Sequence, residues 1–133
     1  MSAAFVFRLD SKSGVPVYRQ LIDQVLVAIA SGGLNSGDQL PTVRQLAVDL
    51  SINPNTVVRA YKELEIRGML TTQQGTGTFI TAKKVKSDEA QRQKRLSQMV
   101  GEFVARVSAE GYTVEDIQER LNELAGETAK RRV

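Results

Sequence analysis

The feature that most restricts the fold is a short break, Ser51-Ile52-Asn53-Pro54, between two segments with helical periodicity. Asn53 is a favourable N-cap residue, and Pro54 suits the first turn of a helix, where its missing N–H group costs nothing. The same four residues therefore end one helix and begin the next. Two short helices joined so tightly predict a helix-turn-helix.

The segments on both sides of the break carry the expected helix signals. Upstream, Thr42 followed by Gln45 is a capping-box pattern, so a helix should begin there. Downstream, a second helix should end at Gly68, which can adopt a left-handed conformation. The first helix is predicted to bury Leu46, Ala47 and Leu50, and the second to bury Val57, Ala60, Tyr61 and Leu64.

The flanking segments complete a recognisable order of elements. Residues 5–9 read as a short extended arm, and a helix should run from Val17, with Pro16 at its start, to Gly32-Gly33. Segments 69–73 and 78–81 flank the turn 74–77 and predict a β-hairpin. The resulting fold class is mainly α with a small β-hairpin, namely an N-terminal winged helix-turn-helix followed by a C-terminal two-helix region.

A polar stretch from Ala82 to Gln93 predicts the domain boundary, with a DNA-binding domain at 1–82 and a helical region at 83–133. Lys83 to Lys86 is interpreted as a solvated linker. A long helix should follow and end at Gly111. Thr113 with Asp116 should cap a last helix, before a frayed basic tail at 130–132.

The C-terminal helices carry an apolar stripe that needs a partner surface, because about forty residues rarely fold alone. That surface is either the chain's own N-terminal domain or a second copy. Since helix-turn-helix proteins usually bind DNA sites with two-fold symmetry as dimers, we favour a homodimer. Its predicted interface comprises Leu96, Met99, Val100, Phe103, Val104, Val107, Ile117, Leu121 and Leu124.

The composition excludes several classes of function. Cys and His are both absent, which removes disulfides, Cys/His zinc sites and catalytic mechanisms that use a thiol or an imidazole. Carboxylate-only chemistry remains possible, but no carboxylate pair lies in an apolar setting that would tune its pKa, and we expect no enzyme activity, no catalytic residue, no cofactor and no metal. Residues 1–7 are too short for a signal peptide, and no apolar run could span a bilayer, so the sequence predicts a cytoplasmic protein without a membrane partner.

The start of the second short helix is the strongest candidate for a binding surface. Asn55 and Arg59 could bond bidentately to adenine and guanine, and Thr56 could contact a phosphate or a thymine methyl. Free N–H groups and the helix dipole should favour phosphate there. An ordinary solvated helix face remains the alternative, and Arg44 could either pair with Asp49 or contact a phosphate.

Three linked motifs resemble the N-terminal domain of the GntR superfamily: GDQLPTVRQLA (37–47), INPNTVVRAYKELE (52–65) and GTGTFIT (75–81), with Pro16-Val17-Tyr18 upstream. The short all-helical C-terminal part resembles the YtrA-like subfamily. The resemblance implies that Arg44 and the start of the second helix contact DNA and that the wing tip enters the minor groove. Where some members carry an arginine two residues after Thr56, this chain has Val58, with Arg59 following. The predicted DNA-contacting residues are Thr42, Arg44, Asn53, Asn55, Thr56, Arg59, Lys62, Gln74, Gly75 and Thr76.

The function implied is sequence-specific transcriptional regulation of an inverted-repeat operator by a homodimer. The resemblance favours a repressor of its own operon, which in this subfamily often encodes membrane transporters, and leaves room for an unidentified small-molecule effector. A non-specific architectural DNA protein is disfavoured by the formal charge of only +3. A protein-interaction module should expose an apolar recognition face, of which only Val58 and Ile66 give a hint.

Overall fold

A computed structural model of the chain describes residues 5–81 and 88–132, with side chains described as far as residue 126. These residues fall into two compact units, one of residues 5–81 together with 128–132 and one of residues 88–127. The elements of the first unit are α1 (Val17–Ser31), β1 (Gln39–Leu40), α2 (Val43–Leu50), α3 (Pro54–Ile66), β2 (Leu70–Gln73) and β3 (Gly77–Ile80). The second unit contains α4 (Glu89–Ser108) and most of α5 (Val114–Arg132), as far as residue 127.

The first helix forms as predicted and holds the N-terminal arm. Pro16 lies at the N-cap of α1, and Gly32 ends the helix in a left-handed conformation with φ 84°. The side-chain amide of Gln24 accepts from the backbone N–H of Arg8 at 2.9 Å and donates to the Arg8 carbonyl at 2.5 Å. This clamp keeps the arm against α1, where Phe7 is buried.

The helix-turn-helix forms from the predicted caps with one difference. Thr42 caps α2 by accepting from the backbone N–H of Gln45 at 3.1 Å. The Gln45 side chain donates instead to Asp49 at 2.7 Å, so only half of the predicted capping box is present. Ser51 makes the turn with φ 55°, and Asn53 caps α3 by accepting from the N–H of Asn55 at 2.8 Å.

The wing is a three-stranded antiparallel sheet with the order β1-β3-β2. The predicted hairpin is confirmed, with Leu70 opposite Ile80 and Gln73 opposite Gly77. The additional strand β1 pairs with β3, placing Leu40 opposite Thr78. Two residues are too few to show an alternating pattern, which is why the sequence did not reveal β1. Through β1 the wing is anchored directly to the segment that leads into α2.

One apolar core fixes these elements. The predicted stripe of α3 is confirmed, since its four members are at most 6% exposed. They pack with the inner face of α1 and with the sheet, so that the opposite face of α3 remains in solvent. The most completely buried large side chains are Leu21, Ile22, Val25, Val57, Leu64 and Ile80.

The second unit differs from the sequence prediction at both ends. Asp88 caps α4 by accepting from the N–H of Ala90 at 3.0 Å, so residues 89–93 are helical and are not part of a polar linker. Lys83 to Lys86 lie outside the described residues. Thr113 and Asp116 form the predicted reciprocal cap, at 3.2 and 2.9 Å, and α5 then continues to Arg132 where a frayed tail was expected. Within the described residues, no helix is both long enough and apolar enough to cross a membrane.

Candidate nucleic-acid interface

The first nine residues of α3, 54–62, contain basic side chains and no acidic ones. The acids of the helix, Glu63 and Glu65, lie among its last four residues. The helix dipole adds a partial positive charge at the N-terminal end. This end of the helix therefore favours an anionic partner such as the phosphate backbone of DNA.

The main-chain donors at this helix end are already used. Pro54 has no N–H group, the N–H of Asn55 donates to the Asn53 side chain, and the N–H of Thr56 donates to the Asn53 carbonyl at 3.0 Å. The sequence-based expectation of free N–H groups for phosphate is therefore wrong at the first three positions. Recognition at this end must depend on side chains and on the dipole.

Among the described residues, the cations of the predicted contact surface form no ion pairs, unlike Arg19 and Arg67 elsewhere in the first unit. Arg19 and Arg67 form ion pairs within their helices, with Asp23 at 3.4 Å and Glu63 at 3.3 Å. Among the described residues Arg44 makes no ion pair, and the alternative partner Asp49 accepts from Gln45 instead. Along residues 54–62, the cations Arg59 and Lys62 are exposed and likewise have no carboxylate partner in the part of the chain that the structure describes.

The three polar residues at the start of α3 are not equivalent. The side-chain oxygen of Asn53 is committed to the cap, which leaves its NH₂ group as a donor. Asn55 is exposed, and both its amide oxygen and its NH₂ group are available for a base edge. Thr56 is half-buried beside it. On α2, the Thr42 oxygen is occupied as an acceptor, but its hydroxyl hydrogen can still donate to a phosphate.

One arginine of this surface is held by an aromatic ring. The guanidinium carbon of Arg59 lies 3.6 Å from the centroid of the Tyr18 ring, a cation–π geometry that links α3 to α1. Sequence reasoning proposed Arg59 as a base contact but did not assign a role to Tyr18. The pair is separated by more than forty positions, and no local pattern joins the two residues.

A buried tyrosine ties the two helices of the motif together. The Tyr61 hydroxyl donates to the Pro41 carbonyl at 2.7 Å, directly before the Thr42 cap of α2. Burial raises the pKa of this hydroxyl above its ordinary value, so it remains a donor in the folded protein. The start of α2, where Arg44 lies, is thereby fixed relative to α3.

The wing tip exposes Gln74, Gly75 and Thr76 between the two hairpin strands. Gly75 has φ 80° and Gly77 has φ 138°, conformations that favour glycine. The side chain of Gln39, on β1, donates to the Thr76 carbonyl at 3.3 Å. A Cβ atom on Gly77 would lie 2.5 Å from the Gln39 amide nitrogen, so glycine at this position leaves room for the Gln39 side chain to reach the Thr76 carbonyl.

The second unit presents an apolar face to solvent. No residue of α4 is buried, and Leu96, Met99, Val100 and Phe103 are between 43% and 49% exposed. A groove within this unit is lined by Phe103, Val107, Tyr112, Ile117, Leu121 and Leu124. Val104, Val107, Ile117 and Leu124 are half-buried, whereas Leu121 is exposed.

Comparisons with known proteins agree with this geometry. A sequence profile of the family described as "Bacterial regulatory proteins, gntR family" matches residues 17–80. The chain is 36% identical over 110 residues to the HTH-type transcriptional regulator YhcF of Bacillus subtilis (strain 168), covering 83% of this chain and 90% of that protein. It is 30% identical over 122 residues to the HTH-type transcriptional repressor YtrA of the same organism, covering 92% of this chain and 94% of that protein.

A solved structure gives the same result for the fold. YtrA from Sulfolobus acidocaldarius, a GntR-family transcription factor, superposes with a TM-score of 0.57 at 30% sequence identity. The match covers 79% of this chain and 99% of that chain. These relatives are transcription regulators and not enzymes, in agreement with the sequence prediction.

Proposed function

Because the chain belongs to the GntR family, in its YtrA-like subfamily, and is a DNA-binding transcriptional regulator, we propose that it represses its own operon as a homodimer. The proposed operator is an inverted repeat, since a two-fold dimer presents two equivalent recognition helices. Repression is favoured because the relative YtrA is named a repressor. The resemblance to that subfamily alone supports a transporter-encoding operon.

The observation that carries this proposal is the exposed face of residues 54–62 of α3, where no acid lies and where Arg59 and Lys62 have no carboxylate partner among the described residues. In the proposed complex, this face lies in the major groove, where Asn55 contacts a base edge and Asn53 and Thr56 contact the adjacent backbone or bases. Lys62 follows about two turns after Asn55 and contacts phosphate. Arg44 and Thr42 contact phosphate from the start of α2, and the wing tip at residues 74–76 contacts the minor groove.

Dimerisation is proposed through the apolar face of α4 and α5. Leaving several large side chains half exposed on one surface is unfavourable in water, and a second copy would cover them with an identical surface. In such dimers the recognition helices lie about one turn of DNA apart, roughly 34–36 Å, or a multiple of that distance. A small molecule bound on this face would be one way to change the separation.

Fluorescence anisotropy with labelled DNA from directly upstream of the gene tests the interface. Asn55→Ala should cost about 1–3 kcal/mol of operator binding and relax the preference at one base pair. Arg44→Ala should weaken binding to all sequences and reduce the salt dependence by about one ion.

Arg67→Ala is the matched control, because it removes the same charge from the far end of α3, where Arg67 pairs with Glu63. If Asn55→Ala and Arg44→Ala bind like this control, the interface has been assigned to the wrong surface. Binding with salt dependence but without sequence preference would instead support an architectural protein.

A further inference from the structure

The cation–π pair of Tyr18 and Arg59 differs from the other arginine contacts of this chain. Arg19, Arg67, Arg92 and Arg120 are each held by a carboxylate of their own helix. Arg59 is held by a ring that belongs to another helix, at 3.6 Å from its centroid. Among the described residues, no acidic side chain pairs with it.

A ring and a carboxylate have different consequences for the arginine that they hold. A carboxylate neutralises the guanidinium and occupies its N–H donors. An aromatic face restrains the guanidinium by stacking but leaves the positive charge and the in-plane N–H groups available. Arg59 is therefore restrained and still able to donate to a guanine edge or to a phosphate.

The position of Arg59 on α3 places it among the proposed contacts. It follows Asn55 by four residues and Thr56 by three, and it precedes Lys62 by three. Residues three and four apart share one face of a helix. Tyr18 is the second residue of α1, half-buried, at the edge of the core that packs α1 against α3.

We propose that Tyr18 is a positioning residue for DNA readout, which orients the Arg59 guanidinium before the operator is bound. This inference rests on the function proposed above. A free arginine side chain loses rotamer freedom when it binds, and a ring that already restrains it reduces that loss. Tyr18 thus acts through Arg59 and sets the strength of the contact that Arg59 makes.

A double-mutant cycle on operator binding tests the pair. Tyr18→Leu removes the ring while keeping apolar bulk, and it should weaken operator binding about three- to thirty-fold. Tyr18→Phe retains the ring and should bind like the wild type. In an Arg59→Met background, Tyr18→Leu should have no further effect, because the cation that the ring orients is gone.

Base preference provides a readout that a purely structural role would not change. Operator variants, each with one base pair exchanged, should identify a position at which Arg59→Met no longer discriminates. Tyr18→Leu should reduce discrimination at the same position and at no other. In the free protein, NMR should show the Arg59 δ-methylene protons shifted upfield by the Tyr18 ring, and the shift should disappear in Tyr18→Leu.

Three results would overturn the proposal: unchanged affinity of Tyr18→Leu, additive losses in the double mutant, or a loss of affinity spread evenly over all base pairs. If Tyr18→Leu unfolds, Tyr18→Met replaces it in the cycle; it also removes the ring while keeping apolar bulk, and it should lose the same discrimination. Retained discrimination in Tyr18→Met contradicts the inference. A wild-type protein without operator preference would instead refute the proposed function, so the two failures are distinguishable.

Discussion

Phe103→Glu is the sharpest test of the proposed dimer, because it places a charge in the middle of the exposed apolar face. Phe103 is 43% exposed, and Leu96, Met99 and Val100 beside it are 45–49% exposed. Complete burial of such a side chain contributes about 1.5–3 kcal/mol, so covering the exposed part contributes about 1 kcal/mol each. Four such residues from each of two protomers give roughly 8 kcal/mol toward association.

The substitution should remove Phe103 from both protomers and desolvate two unpaired carboxylates. The lost apolar burial is about 2 kcal/mol, and each buried charge adds at least about another 1 kcal/mol. A total of about 4 kcal/mol raises the dimer dissociation constant by roughly a thousand-fold. The variant should therefore be a monomer at concentrations where the wild type is a dimer.

Light scattering and sedimentation equilibrium measure this change, and the affinities for a full operator and a single half-site measure its consequence. Ala105→Glu is the matched control, because it adds the same charge at an exposed position on the opposite side of α4. The control should remain dimeric and bind the full operator tightly. A Phe103→Glu protein that also remains dimeric with full affinity would refute the assignment of the interface to this face.

Three further predictions concern the first unit. Gly75 has φ 80°, so Gly75→Val should lower both the melting temperature and the affinity for the operator. Asparagine tolerates this conformation, so Gly75→Asn should lower only the operator affinity if the backbone approaches DNA closely. Asn53→Ala should cost about 1 kcal/mol of unfolding free energy in denaturant titrations, while Asn53→Asp should keep the cap but weaken operator binding through repulsion of phosphate. Because burial raises the pKa of the Tyr61 hydroxyl, this hydroxyl loses its proton above pH 10 in the unfolded chain before it does so in the folded protein. The free energy of unfolding should therefore fall above pH 10, by up to about 1.4 kcal/mol per pH unit. Tyr61→Phe should lack this pH dependence when denaturant midpoints are compared on both sides of pH 10.

The helices of the motif were predictable because their signals are local. The stripe of α3 repeats at helical spacing, and Asn53-Pro54 marks its start through groups that the helix itself leaves unsatisfied. The start of α5 was predictable for the same reason, since Thr113 and Asp116 satisfy each other within one turn. The first turn of α4 was missed because a polar sequence without apolar positions indicates a helix only weakly.

The contacts that sharpen the candidate site could not be predicted because they join distant positions. Gln39 reaches the Thr76 carbonyl, and Tyr18 reaches Arg59, across 37 and more than forty positions. The Gln45 contact is local, but its side chain donates to Asp49 and does not complete the capping box. The first two contacts depend on the packing of distant segments, and the third depends on which of two nearby groups the Gln45 side chain contacts.

The way α3 is capped determines how this protein can recognise DNA. Asn53 and Pro54 make the helix start stable without help from a ligand, because they satisfy or remove the first main-chain donors. A phosphate therefore gains little from the backbone there, and affinity must come from side chains whose charge is not already neutralised. Arg44 and Arg59 meet that condition, because neither forms an ion pair among the described residues and Arg59 lies against the Tyr18 ring. The stable start of α3 thus leaves recognition to side chains whose charge is not neutralised.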